Sequence, residues 1–103
     1  MLTLIVLLSV HPGHEFEFEQ FESAAALIMQ RYGGKLERRL GRTPQSDSSQ
    51  PDEVHIITFP DQEAFQRYRA DTDLASLANL RASAIRQTTI WHGADLGDFK
   101  TAV

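Results

Sequence analysis

Two short interruptions, Tyr32-Gly33-Gly34-Lys35 and Phe59-Pro60-Asp61, constrain this chain more than any other feature. Each closes an apolar stretch of one period and opens a stretch of the other: glycine accepts the left-handed conformation that stops a helix, and Pro60 gives a rigid start to the next one. Read with the flanking segments, they divide the sequence into β-α-β-β-α-β. The 103 residues suffice for one modest core and leave no room for a second. A single domain is expected over residues 1–103, with its core at about 2–93 and a polar tail at 94–103.

Leu2 to Val10 carries Leu4, Val6 and Leu8 on one parity and Ile5 and Leu7 on the other, so this strand must be covered on both faces. It reads as a buried strand rather than a leader or membrane anchor. No Lys or Arg precedes it, and it falls short of the roughly 20 residues that span a bilayer. After the His11-Pro12-Gly13 turn, Phe18, Phe21, Ala25, Ile28 and Tyr32 recur at spacings of three and four. That period outweighs the strand-like alternation of Glu15 to Glu19 and predicts a helix to about Arg31. Lys35 to Arg42 reads as a polar edge strand with Leu36 and Leu40 on one face, and Thr43 to Asp52 as a loop. Glu53 to Phe59, apolar on both parities, repeats the character of the first strand. Asp61 is placed to cap a second helix whose inner stripe is Ala64, Phe65 and Tyr68. Asp71 to Asp73 interrupts it, a further helical piece runs through Leu74, Leu77, Leu80, Ala84 and Ile85, and Arg86 to Gly93 is the last strand.

This order specifies an α+β, ferredoxin-like fold with a four-stranded antiparallel sheet. Strands one and three, the doubly apolar pair, are its central strands, and right-handed crossovers put both helices on one face. The other face keeps its apolar residues without a cover inside the chain. A second copy is expected there, which makes the assembly a homodimeric α/β barrel.

Composition narrows the function classes. The chain has no cysteine, which excludes disulfides, thiolate metal sites and thiol nucleophiles, and fits a cytoplasmic setting. Its formal net charge of -4 argues against nucleic acid as a partner, and no membrane association is expected. Glu15, Glu17, Glu19 and Glu22 crowd the first helix, while Arg31, Lys35, Arg38, Arg39 and Arg42 follow it. These are either two solvated faces or a complementary contact between subunits, with an anion-binding edge as a third reading.

Tyr32-Gly33-Gly34-Lys35, the run Phe59-Pro60-Asp61-Gln62-Glu63-Ala64-Phe65, then Leu80-Arg81 and Gly93 together resemble the bacterial domain of unknown function 1330 family of the dimeric α/β barrel superfamily. Pro12-Gly13-His14-Glu15-Phe16 is similar to a turn before the first helix of the related antibiotic-biosynthesis monooxygenases. The resemblance implies a homodimer with a small-molecule cavity between sheet and helices or near the subunit boundary. Relatives in the superfamily include cofactor-independent monooxygenases, lactone isomerases and haem-degrading enzymes, so shared fold selects no reaction. Tyr68-Arg69-Ala70-Asp71 departs from the family pattern, where an aromatic residue is followed by a Ser-Pro turn.

Six residues are candidates for a pocket: His55, Arg81, Trp91, His92, Tyr32 and Tyr68. His55 interrupts an apolar strand and is either a general base or a core imidazole satisfied by a hydrogen bond. Arg81 interrupts an apolar helical stretch, where it either binds a carboxylate or enolate-like oxygen or pairs with Asp71, Asp73 or a partner's glutamate. Trp91 and His92 point to opposite sheet faces, one as aromatic wall or packing and the other as a polar group. Tyr32 and Tyr68 offer phenolic donors from inner helical stripes. His11 and His14 flank a turn with no third ligand near, so no metal is expected. Without a Ser-His-Asp order, a phosphate loop or a dinucleotide fingerprint, no cofactor is expected either.

Three functions fit. The first is a homodimeric small-molecule-binding protein of unassigned activity. The second is a cofactor-independent monooxygenase or isomerase for a small acidic or aromatic substrate. The third is a structural or interaction module. A void of roughly 300 Å³ or more, reached by two or more of the polar candidates, separates the first two from the third.

Overall fold

The computed structural model describes residues 1–99. In chain order the elements are β1 (Leu2–Val10), α1 (Glu15–Gln30), β2 (Lys35–Gly41), β3 (Glu53–Phe59), α2 (Gln62–Arg69), α3 (Thr72–Ala75), α4 (Ala78–Ala84) and β4 (Ile85–Gly93). The strands form one antiparallel sheet in the order β2-β3-β1-β4, with the two doubly apolar strands at its centre as their sequences require. This is the ferredoxin-like arrangement. Residues 94–99 carry no helix or strand, and the rest of the predicted tail lies outside the described residues.

The core lies between the helices and the sheet face that carries Leu4, Val6 and Leu8. The inner stripe of α1 supplies Phe18, Phe21, Ala25 and Met29, and α2 supplies Phe65. The opposite parity of β1, Ile5 and Leu7, is only half-buried, as are Val54 and Ile56 beside it on β3. Trp91, paired with Ile5, and Leu40, paired with Val54, extend this open face and are exposed at 64% and 44%. Every strand thus contributes an apolar side chain to a face that the described chain leaves uncovered.

Two irregularities shift side chains relative to simple alternation. In β2 the register against β3 slips between Leu36 and Arg38. Leu36 therefore faces the helices opposite Ile57, whereas Leu40 faces outward opposite Val54, contrary to their expected shared face. The slip also turns Arg39 inward beside His55. In β4 the register against β1 slips at Ser9 and Val10, so that Val10 pairs with Ile85 and the core receives Ile85 in place of Arg86. Ile85 consequently belongs to the strand and not to the preceding helix, whose expected single piece is divided into α3 and α4. β-Bulges of this kind add a residue to one strand and re-aim its side chains.

The two interruptions work as their residues require. Gly33 has φ +73° and ends the turn after α1, with its N–H donating to the Gln30 carbonyl at 3.1 Å. Asp61 caps α2 by accepting from the Ala64 N–H at 2.8 Å.

Candidate functional site

A cavity of about 440 Å³ lies between the sheet and the helices. Its floor is Val6 and Leu8 of β1, His55 and Ile57 of β3, and Thr88 and Ile90 of β4. Phe21, Glu22 and Ala25 of α1 form one wall, and α2 to α4 close it with Phe65, Tyr68, Leu74 and Arg81 among others. The volume falls in the range of small-molecule pockets, and most of the lining is apolar. Its polar side chains are Glu22, His55, Tyr68, Arg69, Arg81 and Thr88, of which Glu22 interacts electrostatically with His55, Tyr68 and Arg81.

His55 is the one buried polar residue among those described, 1% exposed, and its place follows from strand alternation. It points inward with Ile57 and Phe59, under Phe18 of α1, with ring centroids 6.4 Å apart. Both ring nitrogens face carboxylates. Nε2 lies 2.8 Å from Glu53 Oε1, and Nδ1 lies 3.7 Å from Glu22 Oε2. A carboxylate only accepts, so the short contact places a proton on Nε2 and leaves Nδ1 toward Glu22. Glu53 is fixed in turn by Arg39, whose Nε and Nη2 donate at 2.6 and 2.8 Å, while Nη2 also donates to Glu19. Burial pushes Glu53 up, but the hydrogen bonds from Arg39 and His55 outweigh it and hold its carboxyl below the usual range. Arg39 is shifted in the opposite direction by the bonds to Glu53 and Glu19. The acidic and basic runs therefore meet within one chain across α1, β2 and β3.

Glu22 behaves differently from Glu53. Burial is its largest influence and raises its pKa; His55 opposes the shift, Glu53 adds to it, and Arg39 and Arg81 oppose it. Tyr68 is pushed up to about 12, first by burial and then by the Glu22 charge. It remains a phenol at neutral pH, a donor rather than an acceptor of protons. Arg81 donates from Nη2 to the Thr88 hydroxyl at 2.8 Å and has no carboxylate within 4 Å among the described residues. Asp71 and Asp73, its expected partners, are taken by Arg31 at 3.3 and 2.7 Å. A guanidinium with a single hydroxyl acceptor keeps donors for another group.

Of the six residues singled out in the sequence, His55, Tyr68 and Arg81 meet at this cavity, and Tyr32, Trp91 and His92 lie outside its lining. Tyr32 donates to Asp71 Oδ2 at 2.5 Å and ties α1 to the start of α3. His92 faces the helix side and packs edge-on against Phe65, with centroids 5.7 Å apart, while Trp91 stands on the open face. His11 and His14 contact each other edge-to-face at 6.2 Å. Among the described residues no group of three or more His, Asp or Glu is arranged to hold a metal ion, and no helix is long and apolar enough to cross a membrane.

Glu22 is the cavity residue that the sequence pattern conceals. It sits in a run of four glutamates, three of which are solvated or surface-paired. Its spacing gives it away: Phe18, Phe21, Glu22 and Ala25 stand at i, i+3, i+4 and i+7, so Glu22 shares the inner stripe of the helix.

Residues 4–93 match the model of the family described as "Domain of unknown function (DUF1330)". No curated protein matches the chain. Among solved structures, a protein of unknown function from Rhodopseudomonas palustris superposes with a TM-score of 0.80 at 15% identity, covering 94% of this chain and 83% of that one. SnoaB, a cofactor-independent oxygenase from Streptomyces nogalater, gives 0.70 at 18% identity over 97% of both chains. A dabb family protein with a ferredoxin-like fold from Mesorhizobium loti gives 0.64 at 21% identity, covering 93% of this chain and 97% of its own. These likenesses share a fold and leave the reaction open.

Proposed function

We propose that this chain, which belongs to the domain of unknown function 1330 family, is a homodimeric protein that binds a small molecule between its sheet and its helices. The observation that carries the reading is the cavity of about 440 Å³, with mostly apolar walls and Glu22, His55, Tyr68 and Arg81 among its lining residues. An acceptor carboxylate, a phenol and a guanidinium together suit a ligand with an apolar body and a polar or acidic end. The cavity weighs against a purely structural module, which needs a filled interior. The open sheet face bearing Ile5, Ile56, Leu40 and Trp91 supports the second copy, because a patch of this kind is costly to leave in water. A cytoplasmic setting accords with the lack of cysteine, and a bacterial one with the bacterial sources of the similar structures.

Thermal melts with a panel of aromatic and aliphatic carboxylic acids test the ligand, together with native mass spectrometry for a retained molecule. Stabilisation of the wild type that is lost in Arg81→Met supports the reading. A melt unmoved by the whole panel, with no retained mass, opposes it. A second reading, a cofactor-independent oxygenase or isomerase, is favoured by one specific observation: Glu22 is set beside a buried imidazole whose other nitrogen is already occupied.

A further inference from the structure

We infer that Glu22 is the proton-transferring residue of this cavity, that His55 is its positioning residue, and that the substrate is an enolisable carbonyl compound with an apolar body. The inference rests on the cavity being a ligand site and assigns it a chemistry. Among the described residues Glu22 is the one carboxylate in the cavity lining, and the remainder of that lining limits what it can do. Among the described residues, the only hydroxyl of the lining apart from Tyr68 is Thr88, which already accepts from Arg81, and neither lysine nor serine lines the space. Covalent attack on a carbonyl is therefore left, among the described residues, to Glu22 itself or to His55, and both ring nitrogens of His55 already face carboxylates. A base that shares a cavity with two hydrogen-bond donors is instead the set of groups that removes a proton beside a carbonyl and stabilises the charge that forms.

The step balances without an oxidant or reductant. A Glu22 oxygen takes a proton from the carbon next to the carbonyl, so that a C–H bond breaks and an O–H bond forms. The electron pair moves onto the carbonyl oxygen as an enolate, which the Tyr68 hydroxyl and the Arg81 guanidinium receive. Glu22 then returns the proton, either to the same carbon, which is exchange, or to another carbon of the conjugated system, which is isomerisation. Glu22 must be ionised for the first half and a competent acid for the second, and a carboxyl displaced upward by burial suits both. The groups that face it are His55 and Glu53 of β3, Arg39 of β2, Tyr68 of α2 and Arg81 of α4. His55 reaches Glu22 with its orientation already set: Arg39 fixes Glu53, Glu53 fixes Nε2, and Nδ1 is thereby presented to Glu22 Oε2.

Phenylpyruvate and benzoylformate form a discriminating pair of probes, since both are aromatic 2-oxo acids and only the first has an enolisable carbon. Hydrogen–deuterium exchange at the benzylic carbon of phenylpyruvate is followed by NMR in deuterated buffer, and binding of benzoylformate by chemical-shift titration. The wild type is expected to accelerate exchange by about 100-fold or more over buffer. Glu22→Gln should remove that acceleration while holding benzoylformate within about threefold, and Glu22→Asp should recover part of it. His55→Asn should displace the pH profile of exchange more than it alters binding, which a merely structural role would not do. Unaccelerated exchange in a wild type that binds benzoylformate overturns the inference and leaves the ligand reading standing, as does full acceleration in Glu22→Gln. Absence of both binding and exchange overturns both.

Discussion

Gly34 shows how a residue type read for one reason can be required for another. Both glycines after α1 are candidates for the left-handed helix stop, yet only Gly33 has a positive φ. A Cβ at Gly34 would lie 2.3 Å from Met29 Cγ and 2.6 Å from the Phe59 ring, so Gly34 is there to let β2 leave the helix against the core. Gly34→Val should destabilise by about 1–3 kcal/mol through overpacking, and Gly34→Ala should already show part of the loss in urea melts. Glu22 has the opposite relation to stability. Burial raises its pKa, so the folded chain holds this proton more tightly than the unfolded one, and stability falls as pH rises from the ordinary carboxylate value through the raised one. Glu22→Gln should therefore melt higher than the wild type at neutral pH, with the gap closing toward about pH 4. Arg81→Met strands no carboxylate and loses one hydrogen bond to Thr88, for a cost of about 1 kcal/mol. A loss near 3 kcal/mol in denaturant titrations would reveal a buried ion pair instead.

At the scale of elements, Asp71 governs the start of α3 and its tie to α1. Its Oδ1 accepts from the Asp73 and Leu74 N–H groups at 2.7 and 3.2 Å, and its Oδ2 accepts from Tyr32 and Arg31. These bonds, that from Tyr32 foremost, hold its carboxyl below the usual range. The stability it contributes is complete above the ordinary carboxylate pKa and disappears as pH falls through the lowered one. The melting temperature of Asp71→Ala should accordingly lie below that of the wild type at neutral pH and approach it in acid. Strand order, the central position of β1 and β3, and the end of α1 were legible because the apolar periods there are long and a glycine pair closes the helix. The faces of Leu36, Leu40 and Ile85 were not, since a single bulged residue in β2 or β4 reverses parity while leaving composition unchanged. The same distinction holds for the site. His55 and Arg81 stand out as polar side chains in apolar stretches and Tyr68 as a phenol on an inner helical stripe, whereas Glu22 is masked by its acidic neighbours. Trp91 and His92 alternate correctly, but which of them faces the helices depends on pairing with β1.

For the whole molecule, the expected unit in solution is a dimer joined through the open sheet face. Light scattering at micromolar concentration should give about twice the 11.6 kDa of the chain, and a monomer would remove the barrel. Trp91→Glu places a charge at the most exposed large apolar side chain named on that face and should shift the balance toward monomer while leaving secondary structure intact. The half-buried rows of Ile5, Leu7, Val54 and Ile56 carry a further consequence. When part of a core is completed only by association, folding obeys mass action, and each tenfold dilution withdraws about 1.4 kcal/mol from the assembled state. If the dimer forms, the melting temperature is expected to record how much protein is present as well as which residues it contains, and abundance itself to help decide how much of this chain is folded.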